Sequence, residues 1–189
     1  AGSLDSSARH DAAAPFRLAI DRTFTIAGHG TVVTGSVSSG CCRVGDTLQI
    51  EPGGVEVRVR GLHCHGHSVE QVHGGQRAAV NLVGVHHTEI TRGQELGAPG
   101  FLRPSRVLTA RIRLLSDARP LKNRSLVRVH VGTAEVLATV RLLPASVTEQ
   151  SSGVHGQAAG SEADGGDTIH ELRGGESALA QLFLHEPAV

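Results

Sequence analysis

Apolar and polar positions alternate along most of this chain with a period of two, the spacing of a β-strand with one buried face. Phe16, Leu18 and Ile20 interleave with Arg17, Ala19 and Asp21. Phe24-Thr25-Ile26 and the run from Thr31 to Val37 then flank Ala27-Gly28-His29-Gly30, where two glycines supply the positive φ of a tight hairpin turn. Cys42 to Ile50, Val55 to Leu62, Ala78 to Val83 and the stretch around Leu96 read as further strands bounded by Gly and Pro. About six short strands with no helical period predict a small closed barrel.

Phe101-Leu102-Arg103-Pro104 marks the join to a second unit. There Leu108, Ala110, Ile112 and Leu114 alternate with Thr109, Arg111 and Arg113, a strand apolar on one face and basic on the other. Val127, Val129 and Val131 repeat the period, as do Val136, Ala138, Val140 and Leu142. From about Ser146 to Ser177 the residues are Ser, Gly, Ala and acids, which bury too little apolar area to offset backbone ordering and predict a disordered insertion. Ala178 to Leu184 resumes a strand. The expected organisation is all-β: a linker at 1–13, a barrel over 14–100, and a second barrel over 101–189 that carries the insertion at about 146–177. So few strands leave that second barrel incomplete.

Composition narrows the function. The 189 residues contain no apolar run long enough to span a bilayer, and no membrane partner is expected. The three cysteines, two of them adjacent, make no disulfide framework, and the first residues do not form a basic-then-apolar signal, so a reducing cytoplasm is the expected location. An aromatic content of 2% argues against nucleic-acid modules that stack bases on aromatic platforms. The formal net charge of zero is a cancellation: residues 105–145 carry a net +6, and residues 146–189 a net −6. The basic block is suited to phosphate. Of the 18 basic residues all but Lys122 are Arg, whose planar fork matches phosphate geometry, although genome composition produces the same bias.

No GxxxxGK[ST] loop is present and no GxGxxG opens a helix after a strand, so these residues cradle no nucleotide by the common routes, and no catalytic group is assigned. His63-Cys64-His65-Gly66-His67 is the obvious metal candidate, because in an extended strand residues 63, 65 and 67 point the same way. Gly66 loosens that geometry, and structural zinc sites draw on two separated pairs of ligands; no metal is assigned. Arg22 breaks the alternation begun by Phe16, Leu18 and Ile20. A cation at that position needs an anionic partner, a bulge that turns it outward, or a strand end that opens to solvent. Arg77, just before Ala78-Ala79-Val80, stands at a similar strand start.

Residues 16–40, with RVGDTLQI, VRVRGLHCHGHSVEQVHGGQRAAVNLVGV and ITRGQELGAPG after them, resemble the second domain of the elongation factor Tu-like translational GTPases. The motif G-x-G-T-V-V-T-G at 28–35 is specific to that superfamily, and the wording LAIDRTF and GQRAAVNLVG resembles its selenocysteine-specific branch. Residues 101–143 and 178–189 resemble the third domain more loosely. The resemblance implies two tandem barrels, domain 2-like and domain 3-like, that follow a GTP-binding domain and carry aminoacyl-tRNA to the ribosome. GTP and magnesium would belong to that GTP-binding domain, which these residues do not include; neither do they include the C-terminal RNA-hairpin-binding region of bacterial relatives.

By position, the resemblance places Asp21, Arg22 and Phe24 on one wall of an aminoacyl pocket, His63 and His65 beside the terminal adenosine and amino acid, and Arg77 on the opposite wall. Two arginines would attract an anionic selenolate and leave neutral serine unrewarded, with Asp21 orienting Arg22 by a salt bridge. Arg103, Arg106, Arg111, Arg113, Arg119, Lys122, Arg124 and Arg128 would contact tRNA phosphates. The implied partners are selenocysteyl-tRNA, the ribosome and the GTPase domain of the same protein. Alternatives are another tRNA-carrying factor, elongation-factor-Tu-like or initiation-factor-2-gamma-like, or a metal-binding or plain interaction barrel.

Overall fold

The computed structural model describes residues 14–28, 30–144 and 169–189. They form fifteen strands and one 3₁₀ turn at His87–Glu89. In the first part of the chain these are β1 (Arg17–Ile26), β2 (Gly30–Ser39), β3 (Cys41–Arg43), β4 (Thr47–Glu51), β5 (Val55–Cys64), β6 (His67–Val69), β7 (Gln71–His73), β8 (Arg77–Val83) and β9 (Glu95–Gly97). The second part holds β10 (Ser105–Arg113), β11 (Leu121–Lys122), β12 (Leu126–Val131), β13 (Ala134–Leu142), β14 (Glu171–Leu172) and β15 (Ser177–Ala188). Two compact units result, one built on Ala1–Pro104 with His130–Glu135 and Pro187–Val189, the other on Ser105–Val129 and Val136–Glu186.

In the first unit the strand order β4-β9-β1-β2-β8-β5 closes on itself, because β4 also pairs with β5. This is the closed barrel that the alternation predicts, and closure removes the sheet edges that would otherwise seek partners. Its interior is aliphatic: Leu18, Ile20, Val33, Val59, Leu62, Val80 and Leu96 are all essentially inaccessible. One buried ion pair accompanies them. Glu95 on β9, 2% exposed, takes two hydrogen bonds from the Arg17 guanidinium on β1, the second of them at 2.8 Å.

Two details depart from the sequence reading. Cys42 to Ile50 is two strands, β3 and β4, separated by a turn at Gly45, whose φ is 96°. The histidine cluster is a hairpin and not an extended run. Cys64 ends β5 and pairs with His67 on β6, while His65 (φ 51°) and Gly66 (φ 81°) form the two-residue turn between them. Both turn residues have positive φ, the geometry that matches the twist of the flanking strands. His63, His65 and His67 therefore share no strand face, and among the described residues no group of three His, Cys, Asp or Glu is placed to hold a metal ion.

The second unit is an open four-stranded sheet, β10-β15-β13-β12, with a separate ribbon of β11 and β14. The central strands bury their inner faces, Val136, Ala138, Val140 and Leu142 on β13 against Ala178, Ala180, Leu182 and Leu184 on β15. The equivalent positions on the edge strands, such as Ile112 and Val127, are only half-buried. Among the described residues this inner face is left half-covered at both edges. Most of the predicted insertion, and the predicted linker at 1–13, lie outside the described residues. Its last part does not form the expected loop: Glu171–Leu172 pairs with Leu121–Lys122, and Leu172 is 3% exposed. One leucine at the right register, with backbone bonds such as Asn123 N–H to His170 O at 2.8 Å, is enough to order a stretch whose composition is otherwise polar.

Candidate aminoacyl-end site

The site arises from a bulge. Along β1 and β2, Ile20 faces Gly35 but Arg22 faces Thr34, so Asp21 is one residue too many for its partner strand. An extra residue reverses the parity of everything after it. Arg22, inward by simple counting, consequently points outward and is exposed, which resolves the exception in the alternation. Gly35 permits this close approach: a Cβ there would collide with the Ala19 carbonyl oxygen and stand 2.7 Å from a Leu18 methyl.

Four neighbouring strands then bring the predicted residues onto one outer surface. Arg22 on β1 faces Thr34 on β2, which faces Ala79 on β8, which faces His63 on β5. Arg77 faces Ser36, two residues along β2 from Thr34 and so on the same side. Strand spacings put the Cα atoms of Arg22 and Arg77 about 12 Å apart, diagonally across β2.

Between them stands the Asp21 carboxylate. Arg77 Nη1 donates to Asp21 Oδ2 at 2.5 Å, and the Thr34 hydroxyl donates to Asp21 Oδ1 at 2.8 Å. Burial pushes the Asp21 carboxyl up, but the hydrogen bonds from Arg77 and Thr34, with the charges of Arg77 and Arg22, outweigh it and hold the group below its ordinary value. The same bond and the charge of Asp21 raise the Arg77 guanidinium. Asp21 thus takes its ion pair from Arg77, not from Arg22 as expected; Arg22 acts on it only through the field. The reason is the bulge, which swings the carboxylate over β2.

Beside this pair lies a recess of about 280 Å³, lined by Thr34, His63, His65, Gly66, Arg77, Ala78 and Ala79. The structure thus brings Asp21, Arg22, Arg77, His63 and His65 to one region. Phe24, opposite Val32 and 38% exposed, lies further along β1 and does not line the recess. Thr34 is the residue that sequence reading does not single out; its place next to the inward-facing Val33 marks it as outward, but nothing in the sequence marks it as a partner of Asp21. The charges around the recess, Arg22 and Arg77 against Asp21, leave a net of one positive charge before the histidines are counted. Such a recess suits a small anionic group.

Of the eight residues assigned to phosphate, all are exposed. Arg103 belongs to the first unit and the other seven to the second. Arg111 and Arg113 lie on β10 at one edge of the open sheet, and Arg128 on β12 at the other, about 14 Å away across three strand intervals. Arg106 already donates to the His185 carbonyl, and Arg124 sits in a turn at φ 63°. Among the described residues the sole helical element is the single 3₁₀ turn, and no glycine-rich loop leads from a strand into a helix. Among the described residues no helix is long and apolar enough to cross a membrane.

Residues 30–97 match the family model described as elongation factor Tu domain 2. The chain is 45% identical over 129 residues to the selenocysteine-specific elongation factor of Desulfomicrobium baculatum, covering 68% of this chain and 20% of that protein. It is 37% identical over 134 residues to elongation factor Tu 2 of Streptomyces avermitilis, covering 68% of this chain and 34% of the relative. The chain therefore spans between a fifth and about a third of the length of these relatives. Among solved structures, translation elongation factor SelB from Methanococcus maripaludis shares the fold, with a TM-score of 0.75 at 24% identity over 95% of this chain and 37% of that one. A bacterial selenocysteine-specific elongation factor superposes with a TM-score of 0.63 at 27% identity, over 92% of this chain and 24% of the other. Residues 30–97, most of the closed barrel, are an elongation factor Tu domain 2, and the chain is similar to a β-domain portion of the selenocysteine-specific elongation factors.

Proposed function

We propose that these residues are the aminoacyl-tRNA-binding part of a selenocysteine-specific elongation factor, and that the Arg77 recess receives the selenocysteyl end of the tRNA for delivery to the ribosome. The observation that carries this is the convergence of Arg22, Arg77 and the Asp21 carboxylate on one outer surface beside His63 and His65. A selenol is more acidic than a thiol and is anionic near neutral pH, whereas the serine hydroxyl is neutral. A net positive recess therefore favours the first over the second.

Magnitudes decide what else is needed. The Arg77 side chain is 55% exposed. A charge pair at 4 Å is worth about 1 kcal/mol in bulk water and about 4 kcal/mol at an effective dielectric of 20. Selection beyond roughly fivefold therefore requires that water be excluded from above Arg77. In this proposal the GTP-binding domain of the same protein supplies that cover, so discrimination is GTP-dependent and the chain contributes the charges. Nucleotide hydrolysis, GTP and magnesium reside in that domain, and no step of it is assigned to the residues described here. Arg103, Arg111, Arg113, Arg119, Lys122, Arg124 and Arg128, with Arg106 partly engaged, hold phosphates of the tRNA without reading sequence.

The test is ester protection. In the GTP-bound full-length protein, selenocysteyl-tRNA is expected to hydrolyse much more slowly than seryl-tRNA. Arg22→Ala or Arg77→Ala should bring the two rates together; equal protection of both esters by the unaltered protein sinks the proposal.

A further inference from the structure

A second recess of the barrel, about 420 Å³, is lined by Val44, Gly45, Arg58, Val59, Arg60 and Val83. It too rests on a bulge. The pairing of β5 with β8 shifts register between Val59 and Gly61, which makes Arg60 the extra residue. Val57, Val59 and Leu62 face inward, while Arg58, Arg60 and His63 are all exposed. Residues 60 and 63 differ in parity, so only the bulge allows both to face out. The outer side of β5 therefore presents Arg58, Arg60 and His63 in one line of about 16 Å.

The two guanidiniums are unengaged. Arg17, Arg43 and Arg77 each hold a side-chain partner, Glu95, Gln71 and Asp21 respectively. Arg58 and Arg60 have neither a side-chain hydrogen bond nor an ion pair among the described residues. Of the nearby acids, the Asp46 carboxylate accepts the Arg43 N–H at 2.8 Å while its backbone carbonyl accepts Val59 N–H at 2.9 Å, and Glu56, two residues before Arg58, shares the exposed face without pairing with either guanidinium. Val44 and Val83, 38% and 50% exposed, give the recess apolar walls.

We infer that the Arg58–Arg60 recess is a phosphate site for an RNA strand, separate from the recess at Arg77. Arg forks match phosphate oxygens in pairs, and the valines offer an apolar surface to the sugar that carries the phosphate. Both guanidiniums are exposed to water, so a single small anion gains little there. A polyanion gains more, because each phosphate neutralised releases condensed counterions. The occupant is therefore a strand, not a free nucleotide.

The test uses this chain and a fluorescein-labelled single-stranded RNA of about sixteen nucleotides without an aminoacyl ester, titrated by anisotropy over a range of salt. Because no ester is present, the outcome is independent of the selenocysteyl proposal. Arg58→Ala with Arg60→Ala is expected to weaken binding about five- to tenfold near 0.1 M salt and to make the log–log salt slope shallower by about 1.4, two single-strand contacts at roughly 0.7 each. Arg58→Lys with Arg60→Lys should retain the slope, and thermal melts of both pairs should match the unaltered chain, as exposed side chains imply. Unchanged affinity and slope in the alanine pair overturn the inference. So does displacement of the RNA by poly-glutamate of equal charge as readily as by unlabelled RNA, which would assign the recess to an acidic peptide.

Discussion

Arg77 on β8 and Asp21 on β1 are ion-paired at 2.5 Å although β2 lies between their strands. The contact exists because Asp21 is the surplus residue of a bulge and reaches across Thr34, whose hydroxyl holds its other oxygen at 2.8 Å. A pair built this way does two things: it fixes the Arg77 guanidinium beside the recess, and it ties the exposed surface of three strands together.

Asp21→Asn should therefore carry a pH-dependent cost. The folded carboxyl lies below its ordinary value, so its contribution to stability is complete above that value and disappears as pH falls through the depressed one. Near neutral pH the substitution is expected to cost about 1 kcal/mol, the sum of a half-exposed ion pair and one hydrogen bond. Urea unfolding near pH 7 and near pH 2 measures it. The difference between the two proteins should shrink at the acid end, and a difference independent of pH would show that the charge is not what matters.

Gly35→Ala tests the bulge itself. A methyl group there meets the Ala19 carbonyl and the Leu18 side chain, and the backbone cannot yield without displacing Asp21. Overpacking of this kind costs about 1–3 kcal/mol. The informative comparison is with Gly45→Ala, where a Cβ meets nothing within 4 Å and only the φ of 96° is strained. Thermal melts should rank Gly35→Ala as the more damaging, and it alone should also perturb an Arg77-dependent activity.

Much of this was legible from the residues, and the reason is local. The first barrel follows from period-two alternation, because most of its buried strand positions read directly as Val, Leu, Ile or Ala at alternate places. Arg22 was visible as a break in that alternation, and the bulge explains it. What could not be read was which strand lay beside which: the spacing of Arg22 and Arg77 says nothing about β2 lying between them, and so Asp21 was assigned to its sequence neighbour. Thr34 escaped for the same reason, since a threonine on the outer face of a strand is ordinary until the strand beside it is known. The histidines of 63–67 depart from the extended run that their spacing predicts because His65 adopts a positive φ of 51°, uncommon for a non-glycine residue. Leu172 shows the limit of composition: averaged over thirty-odd residues the stretch is polar, yet one apolar side chain pairs and is buried.

Glu95→Ala separates structural from functional charge. Glu95 is 2% exposed and is the partner of Arg17, which is about one-third exposed. Removing one member of a largely buried pair costs about 3–5 kcal/mol, because the other is left uncompensated. The loss should appear as a lower unfolding midpoint with Arg77-dependent activities intact in the protein that remains folded. Arg17→Met with Glu95→Leu should recover most of the midpoint, since apolar packing can replace an ion pair without leaving a bare charge.

The cysteines offer a probe of barrel integrity. Burial pushes the Cys42 thiol up to about 12, with the negative charge of Asp46 adding to it, so almost none of it is thiolate at neutral pH. Cys64 is buried as well, at 7% exposure, while Cys41 on the same short strand as Cys42 is only partly covered. Iodoacetamide near pH 8 should therefore label one thiol per chain quickly, identified by peptide mass as Cys41, and the other two only as fast as the barrel opens. Two thiols reacting at the fast rate would mean that β3 is not held against β7 as described, and with it the turn at Gly45 that borders the Arg58–Arg60 recess.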